Sequence, residues 1–164
     1  MLIDLKKYFS GEDISQAIDY TVDLSEEIDG CKPFVTPVQV KGSIRSFASS
    51  AELNVEVRYA YSMPCNRCLT LTRKEFCHNI SHVIVNKLND EEDFEDYIVI
   101  EGDELDLDEL IYSDIILLTP TKFLCKEDCK GLCPTCGKNL NEDDCACAKQ
   151  QTDPRLEALR QLLQ

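Results

Sequence analysis

The densest group of reactive side chains in this 164-residue chain is a cluster of cysteines. Six of the ten cysteines fall between residues 125 and 147, with the spacing Cys-x3-Cys-x3-Cys-x2-Cys-x8-Cys-x-Cys. Residues 133–138 read Cys-Pro-Thr-Cys-Gly-Lys, which is typical of a zinc knuckle, a tight turn that presents two thiolates to one metal. Pro134 presets one backbone angle of that turn, and Gly137 permits positive φ after the second ligand. A second cysteine pair nearby would complete a site of four thiolates.

This spacing predicts zinc, as one or two ions, and ranks the ligands. Cys133 and Cys136 come first. Cys145 and Cys147 come next, because the eight-residue loop after Cys136 lets that pair return to the knuckle. The other two cysteines of the cluster follow. The full set of predicted metal ligands here is Cys125, Cys129, Cys133, Cys136, Cys145 and Cys147.

A further Cys-x2-Cys pair, Cys65 and Cys68, lies in a turn between two predicted strands. Cys31 and Cys77 have no close partner in sequence, and we interpret both as structural. Eight cysteines remain, which is enough for two sites of four thiolates. Two arrangements stay open. Either the Cys65–Cys68 pair completes a site with two of the C-terminal six, or it stands apart and a single C-terminal zinc uses four of the six.

Three other kinds of cysteine chemistry compete with zinc. A disulfide framework requires an oxidising compartment, and no feature of the chain indicates one. The triplet Cys129-x3-Cys133-x2-Cys136 has the ligand spacing of iron–sulfur enzymes that cleave S-adenosylmethionine, but those enzymes need a large barrel after the motif, and only 28 residues follow Cys136. A thioredoxin-like redox pair requires a βαβ pattern around the cysteines, which neither pair has.

Composition predicts a cytoplasmic protein with a real hydrophobic core. Hydrophobic residues make up 43% of the chain and charged residues 29%, which is ordinary for a soluble domain. No apolar run approaches the length of a membrane span, and the first residues lack the basic-then-apolar pattern of a secretory signal. We therefore expect a reducing setting, in which ten cysteines indicate metal rather than disulfides.

The net charge of −14 is distributed unevenly. Residues 1–30 sum to −6, residues 31–90 to +4, residues 91–120 to −12, and residues 121–164 to zero. Clustered cations are needed to coat nucleic acid, so the total charge disfavours broad phosphate binding. The acidic belt at 91–109 would suit a basic protein partner, or it is simply a solvated surface.

Hydrophobic periodicity predicts an α+β fold: an antiparallel sheet or open barrel with one or two helices. Strands are expected at 16–24, 35–44, 51–61, 69–85 (as one or two strands) and 97–100. A helix is expected over 103–118 and another from Thr152. The predicted inner face of the first helix carries Leu105, Leu107, Leu110, Ile111, Ile115 and Leu118. These elements divide into a β core with a closing helix at 1–120 and a zinc-binding appendage with a C-terminal helix at 121–164.

Three stretches together resemble the bacterial YceD family of large ribosomal RNA subunit accumulation proteins. They are Cys-Asn-Arg-Cys-Leu at 65–69, Cys-Lys-Gly-Leu-Cys-Pro-Thr-Cys-Gly-Lys-Asn-Leu-Asn at 129–141, and Asp-Pro-Arg-Leu at 153–156. The resemblance implies a cytoplasmic, non-enzymatic factor that large-subunit ribosomal RNA needs in order to be made or to survive. A metal-dependent redox protein, using iron–sulfur or thiol chemistry, is the alternative from another class.

The expected partner is a ribosomal protein or the large-subunit ribosomal RNA precursor, with no membrane and no small-molecule substrate. No catalytic constellation or phosphate-binding glycine loop is recognisable, so we predict that the chain is not an enzyme. His78 and His82 are interpreted as polar strand positions rather than metal ligands. If the partner is RNA, the candidate contact residues are Arg58, Arg67, Arg73 and Lys74.

Overall fold

β-strands are the commonest secondary structure in the described part of the chain. The computed structural model describes residues 1–10, 13–24, 33–87, 97–100 and 102–149. In chain order the elements are β1 (Leu2–Asp4), α1 (Lys6–Phe9), β2 (Ser15–Val22), β3 (Val38–Phe47), β4 (Ser50–Pro64), β5 (Leu71–Val85), β6 (Tyr97–Val99), β7 (Glu104–Asp106), α2 (Leu107–Leu118) and a 3-10 turn (Ala146–Lys149). No helix within these ranges has the length and apolar character that crossing a bilayer requires.

The larger sheet has five strands in the order β2-β3-β4-β5-β6. β2, β3 and β4 pair antiparallel, with Tyr20 opposite Val40 and Ile44 opposite Leu53. The six residues between β4 and β5 allow only an antiparallel return, since a parallel connection needs about a dozen or more. β6 is the exception, because it pairs parallel to the end of β5. Of the two predicted alternatives, an antiparallel sheet or an open barrel, the structure has an open sheet, and its antiparallel order holds from β2 to β5.

Alternation of apolar and polar residues gives this sheet one buried face. Its close packing requires a glycine: a Cβ on Gly42 would lie 2.0 Å from the backbone oxygen of Asn54. Helix α2 supplies a second buried stripe at the spacing of one helix face. The fully buried side chains from the sheet and from α2 include Ile18, Val38, Val40, Ile44, Leu53, Val57, Ile84, Leu107, Ile111 and Ile115.

Helix α2 hydrogen-bonds to side chains on three strands of the sheet. Tyr20 Oη donates to Asp108 Oδ1 at 2.8 Å, and His82 Nε2 lies 2.9 Å from Asp114 Oδ2. Further along, the hydroxyls of Tyr59 and Thr119 are 3.2 Å apart. These three contacts run from the first turn of the helix to its C-terminal cap.

The predicted helix at 103–118 is therefore confirmed in type and shorter in extent. Its first residues form β7 instead, which pairs antiparallel with β1 so that Leu105 lies opposite Ile3. Leu105 is buried, but on a strand, whereas Leu118 is 45% exposed. The buried face of the helix is thus shorter than predicted, since it begins at Leu107 and ends at Ile115. β1, α1 and β7 have only three or four residues each, which is too short to show a period in sequence.

The chain forms two compact units. The first comprises Met1–Ser62 and Arg73–Thr121, and the second comprises Met63–Thr72 with the described part of Lys122–Gln164. The division of the sequence at residue 120 into folding domains stays a prediction. The predicted C-terminal helix, Cys31 and the 91–96 part of the acidic belt lie outside the described residues.

Candidate metal centre

The β4–β5 connection forms a tight cysteine knuckle in the second unit. The N–H of Cys65 donates to the carbonyl of Thr70 at 2.9 Å, and the N–H of Leu69 donates back to the carbonyl of Cys65 at 2.9 Å. Closing this turn places Leu69 at φ 60°, in the left-handed region. Leucine rarely adopts that conformation, because its Cβ crowds the carbonyl oxygen there. The turn therefore places backbone strain at Leu69, directly after Cys68.

The knuckle at 133–138 repeats that hydrogen-bond pattern residue for residue. The N–H of Cys133 donates to the carbonyl of Lys138 at 2.8 Å, and the N–H of Gly137 donates to the carbonyl of Cys133 at 2.9 Å. Gly137 has φ 72°, which a glycine adopts without strain. A β-bridge between Leu132 and Asn139 closes the base of this turn. The two knuckles therefore share a backbone fold, and at the left-handed position after the second cysteine one has leucine and the other has glycine.

The first knuckle meets the segment 125–129 to form a group of four cysteines, the first tetrad: Cys65, Cys68, Cys125 and Cys129. The Sγ atoms of Cys65 and Cys129 are 3.8 Å apart, and those of Cys68 and Cys125 are 3.6 Å apart. Three of these cysteines are buried, and the side chains of Leu124 and Leu132 pack against them. The first tetrad is thus the core of a small hydrophobic cluster.

The second knuckle joins a later pair to form the second tetrad: Cys133, Cys136, Cys145 and Cys147. Only Cys133 is buried, whereas Cys136 is exposed and the other two are partly exposed. As in the first tetrad, the four Sγ atoms lie within 4.8 Å of one another.

The sulfur spacing fits a bound metal better than a disulfide. A disulfide joins two sulfurs at about 2.05 Å, whereas four sulfurs placed tetrahedrally at about 2.3 Å from zinc lie about 3.8 Å from each other. The distances of 3.6 and 3.8 Å in the first tetrad match the second geometry. Each tetrad can therefore hold one metal ion with four thiolate ligands.

Electrostatics within the tetrads also favour a cation. Burial by itself raises the pKa of Cys65, but hydrogen bonds from the backbone of Cys125 and Cys68 outweigh it and lower the pKa to about 6. Burial and the neighbouring thiols raise the pKa of Cys125 to about 12. In the second tetrad, backbone hydrogen bonds from Cys136 and Thr135 lower the pKa of Cys133 to about 6. Some thiols thus ionise readily and others resist, as expected where four negative charges would need a cation to share one site.

Side chains outside the tetrads hold the ligand-bearing segments in place. Arg67, inside the first knuckle, donates through Nη1 to the carbonyl of Cys129 at 2.8 Å and to that of Glu127 at 3.3 Å. The side-chain Oδ1 of Asn66 accepts from the N–H of Phe123 at 3.1 Å, and the backbone N–H of Asn66 donates to the carbonyl of Phe123. These hydrogen bonds hold the first knuckle against the segment that carries Cys125 and Cys129.

Family comparison agrees with these motifs. The profile described as "Large ribosomal RNA subunit accumulation protein YceD" matches residues 53–163, more than half of the chain and a range that includes all eight cysteines of the two tetrads. The chain belongs to the YceD family.

Two relatives extend the similarity beyond the matched region. The chain is 28% identical to the Bacillus subtilis (strain 168) protein YlbN over 151 residues, covering 88% of this chain and 86% of that one. It is 26% identical over 162 residues to "Large ribosomal RNA subunit accumulation protein YCED homolog 1, chloroplastic" of Arabidopsis thaliana, covering 81% of this chain and 49% of the plant protein. The chain therefore spans about half the length of the plant relative. No solved structure matches this YceD-family chain.

The structure groups the eight cysteines into two tetrads, each made of two pairs that are close in sequence. Cys65 and Cys68 lie with Cys125 and Cys129, which is the first of the two arrangements left open by the sequence. The iron–sulfur triplet is not brought together, because Cys129 belongs to one tetrad and Cys133 and Cys136 to the other. Cys77 is exposed on β5. The two histidines also lie on β5, and neither joins a tetrad of the described residues.

The four candidate RNA-contact residues are divided between the two units. Arg58 and Arg73 line the same groove of about 470 Å³ in the first unit, but Arg58 Nε lies 2.7 Å from Glu56 Oε1 and Arg73 Nη2 lies 3.8 Å from Glu75 Oε1. Lys74 also lies on β5 in that unit. Arg67 belongs to the second unit and bonds to backbone carbonyls.

Sequence reasoning assigned no positioning role to Arg67, Asn66 or Leu69. A visible signal existed for Leu69, because the equivalent position in the second knuckle is Gly137. For Arg67 the signal was ambiguous, because a cation in a basic stretch equally indicates phosphate binding, and its role as an RNA contact stays a prediction.

Proposed function

We propose that this YceD-family chain is a zinc-carrying, non-enzymatic factor that supports the accumulation of large-subunit ribosomal RNA in the cytoplasm. The observation that carries the proposal is the family match over 53–163, which spans both cysteine tetrads. The names of the family and of the plant relative both refer to this accumulation. In this proposal the first tetrad holds one zinc ion and the second tetrad holds another.

The donor sets support a structural role for the metals. Structural zinc sites are closed, with four protein ligands, whereas catalytic zinc keeps a position open for water or substrate. Each tetrad supplies four cysteines to one ion, which fills a tetrahedral coordination sphere. A bound zinc would then fix the fold of the second unit and leave no coordination position for a reaction.

A basic ribosomal protein is the preferred direct partner, with the ribosomal RNA precursor as the alternative. On the outer face of the sheet in the first unit, each of three cations lies within 3.1 Å of a carboxylate: Lys41 with Asp19, Arg45 with Glu52, and Arg58 with Glu56. Cations neutralised in this way are less available to phosphates. The net charge of −12 over residues 91–120 favours a basic partner.

Charge reversal distinguishes the two partners. Arg58→Glu with Arg73→Glu reverses the charge of the two arginines that line the 470 Å³ groove of the first unit. Arg67 is left unchanged, because it supports the first tetrad. We expect this double variant to keep rRNA accumulation near wild type, and neutralisation of Glu91, Glu92, Asp93, Glu95 and Asp96 to reduce it. The readout is large-subunit rRNA in a strain depleted of the wild-type protein. Loss of rRNA with the arginine variant alone, while the acidic variant behaves normally, would assign the contact to RNA.

A further inference from the structure

Asn141 lies in the loop between two cysteines of the second tetrad, but its side chain contacts a cysteine of the first. It lies in the eight-residue loop between Cys136 and Cys145, both of which are in the second tetrad. Its side-chain Nδ2, however, donates a hydrogen bond to Sγ of Cys129, a member of the first tetrad, at 3.3 Å. This single amide therefore contacts a sulfur of the first tetrad, although it lies in the loop between two cysteines of the second.

The Asn141 side chain is held in that position by several bonds. Its Oδ1 accepts from the N–H of Lys130 at 2.9 Å, and its Nδ2 also donates to Asn139 Oδ1 at 2.8 Å. Beside it, the N–H of Leu140 donates to the carbonyl of Gly131 at 2.9 Å. The loop is thus fastened to residues 130–131, directly after Cys129.

Both ends of this loop depend on the second tetrad. Cys136 precedes the loop and Cys145 follows it, so a metal in the second tetrad would fix its ends and limit the conformations of residues 137–144. An N–H donor to a ligand sulfur spreads the negative charge of the thiolate, and loss of such an outer contact typically weakens metal binding about 10- to 100-fold. The position of Asn141 therefore links the state of one site to the affinity of the other.

We propose that the two tetrads bind their metals cooperatively and that the Asn141 side chain carries the coupling through its contact with Cys129. This inference rests on the proposed metal binding of both tetrads. Coupling of this kind is reciprocal, so each occupied site raises the affinity of the other by the same factor. The backbone from Cys129 to Cys133 is the competing route, and the test must separate it from the side-chain route.

Asn141→Asp separates the two routes. The substitution keeps the shape and the Oδ1 that accepts from Lys130, but it replaces the N–H donor with a carboxylate facing the sulfur of Cys129. The backbone between Cys129 and Cys133 is unchanged. Asn54→Ala is the matched control, because Asn54 is an exposed asparagine of the first unit whose amide donates to Glu52.

Cadmium NMR of the full chain loaded with two equivalents of cadmium gives one resonance for each four-thiolate site. Cys145→Ser with Cys147→Ser removes the second site and assigns the remaining resonance. A competing chelator then gives the affinity of the first tetrad in four chains: wild type, Asn141→Asp, the double serine variant, and the combination. We expect a loss of about tenfold or more at the first tetrad from either change, with less than a further twofold loss when both are combined.

The outcomes separate coupling from metal binding. Two cadmium ions bound, with an affinity at the first tetrad that is the same with and without the second tetrad, would overturn the coupling and leave the proposed sites intact. A coupling that persists unchanged in Asn141→Asp would assign it to the backbone and overturn the role of the side chain. A wild-type chain that binds no metal would overturn both proposals. The Asn54→Ala control should match wild type throughout.

Discussion

The two tetrads begin with the same backbone turn and end in different surroundings. In the first, the knuckle pairs with cysteines far away in sequence: Cys68 and Cys125 are 57 residues apart. In the second, Cys136 and Cys145 are separated by a loop of eight residues. Three of the four cysteines in the first tetrad are buried and leucines pack against them, whereas only one cysteine of the second tetrad is buried. The turn itself is a local property of six residues, whereas the burial of the site depends on which distant segment it captures.

Because of this difference, a metal ion would stabilise a different part of the second unit in each tetrad. A metal in the first tetrad would join Met63–Thr72 to the segment after Lys122, the two pieces of chain that make up the second unit. A metal in the second tetrad would close one loop within a single piece. We therefore expect the first tetrad to determine whether the second unit folds, and the second to refine its C-terminal part.

Removing all metal should have the largest effect. Structural zinc contributes about 10 kcal/mol or more to the folding of small modules. After chelation, the amides of Cys65 and Cys133, which bond to Thr70 and Lys138, should lose their protection from hydrogen exchange. Amides of β3, such as Val40, should keep theirs, and added excess zinc should restore the pattern. Simultaneous opening of the sheet and both knuckles would contradict the independence of the second unit.

Single cysteine replacements should rank the two tetrads. Cys125→Ser releases a link across 57 residues, and Cys145→Ser releases one across a much shorter loop. Loop-closure entropy alone makes the first link about 1.6 kcal/mol more stabilising, and burial of the first tetrad adds to it. Urea unfolding of the second unit, followed by exchange of its amides, measures both variants. Equal losses would show that sequence separation and burial do not distinguish the sites.

Arg67 distinguishes the two knuckles, because the matching position of the second knuckle, within residues 133–138, has no arginine. Thr135 stands there. Arg67→Ala removes hydrogen bonds from a charged group to the carbonyls of Cys129 and Glu127, and we expect a loss of about 1.5 kcal/mol from the second unit. Arg73→Ala, on the exposed sheet, is the control and should change stability by less than about 0.5 kcal/mol. If the two variants lose the same stability, Arg67 does not hold the first tetrad.

The smallest effect concerns the residue that follows the second cysteine in each knuckle, which is Leu69 in the first and Gly137 in the second. Leu69→Gly relieves a left-handed leucine and should stabilise the second unit by about 0.5 kcal/mol, after the greater flexibility of glycine in the unfolded chain is counted. Gly137→Ala imposes the reverse and should destabilise it by about 1 kcal/mol. Thermal unfolding of the two variants beside wild type measures both changes. A destabilising Leu69→Gly would mean that the exposed leucine side chain contributes more than its backbone costs.

Sequence patterns predicted the parts of the structure that are local or periodic. The long alternation of β4, most of β3 and the second knuckle were all visible, because each depends on neighbouring residues. The parallel pairing of β6 and the contact between β1 and β7 were not visible, since they join distant short segments.

In the candidate metal centre, too, the local features were predictable from the sequence and the contacts between distant segments were not. Cys133, Cys136, Cys145 and Cys147 were ranked together from one short stretch, as the structure also groups them. The union of Cys65 with Cys129 joins residues 64 apart, and sequence left it as one of two alternatives. The positioning roles of Arg67 and Asn141 depend on where folded backbone brings a carbonyl and a sulfur, which no spacing rule reports.

Metal content per chain tests the central claim most directly. The protein is purified without oxygen and without added metal, and bound metals are measured by elemental analysis for wild type, Cys68→Ser and Cys136→Ser. We predict two zinc ions in a colourless wild-type protein, with Cys136→Ser losing only the zinc of the second tetrad and Cys68→Ser losing the zinc of the first. Bound iron with visible absorbance, or a zinc content unchanged by either substitution, would contradict two structural zinc sites built from these tetrads.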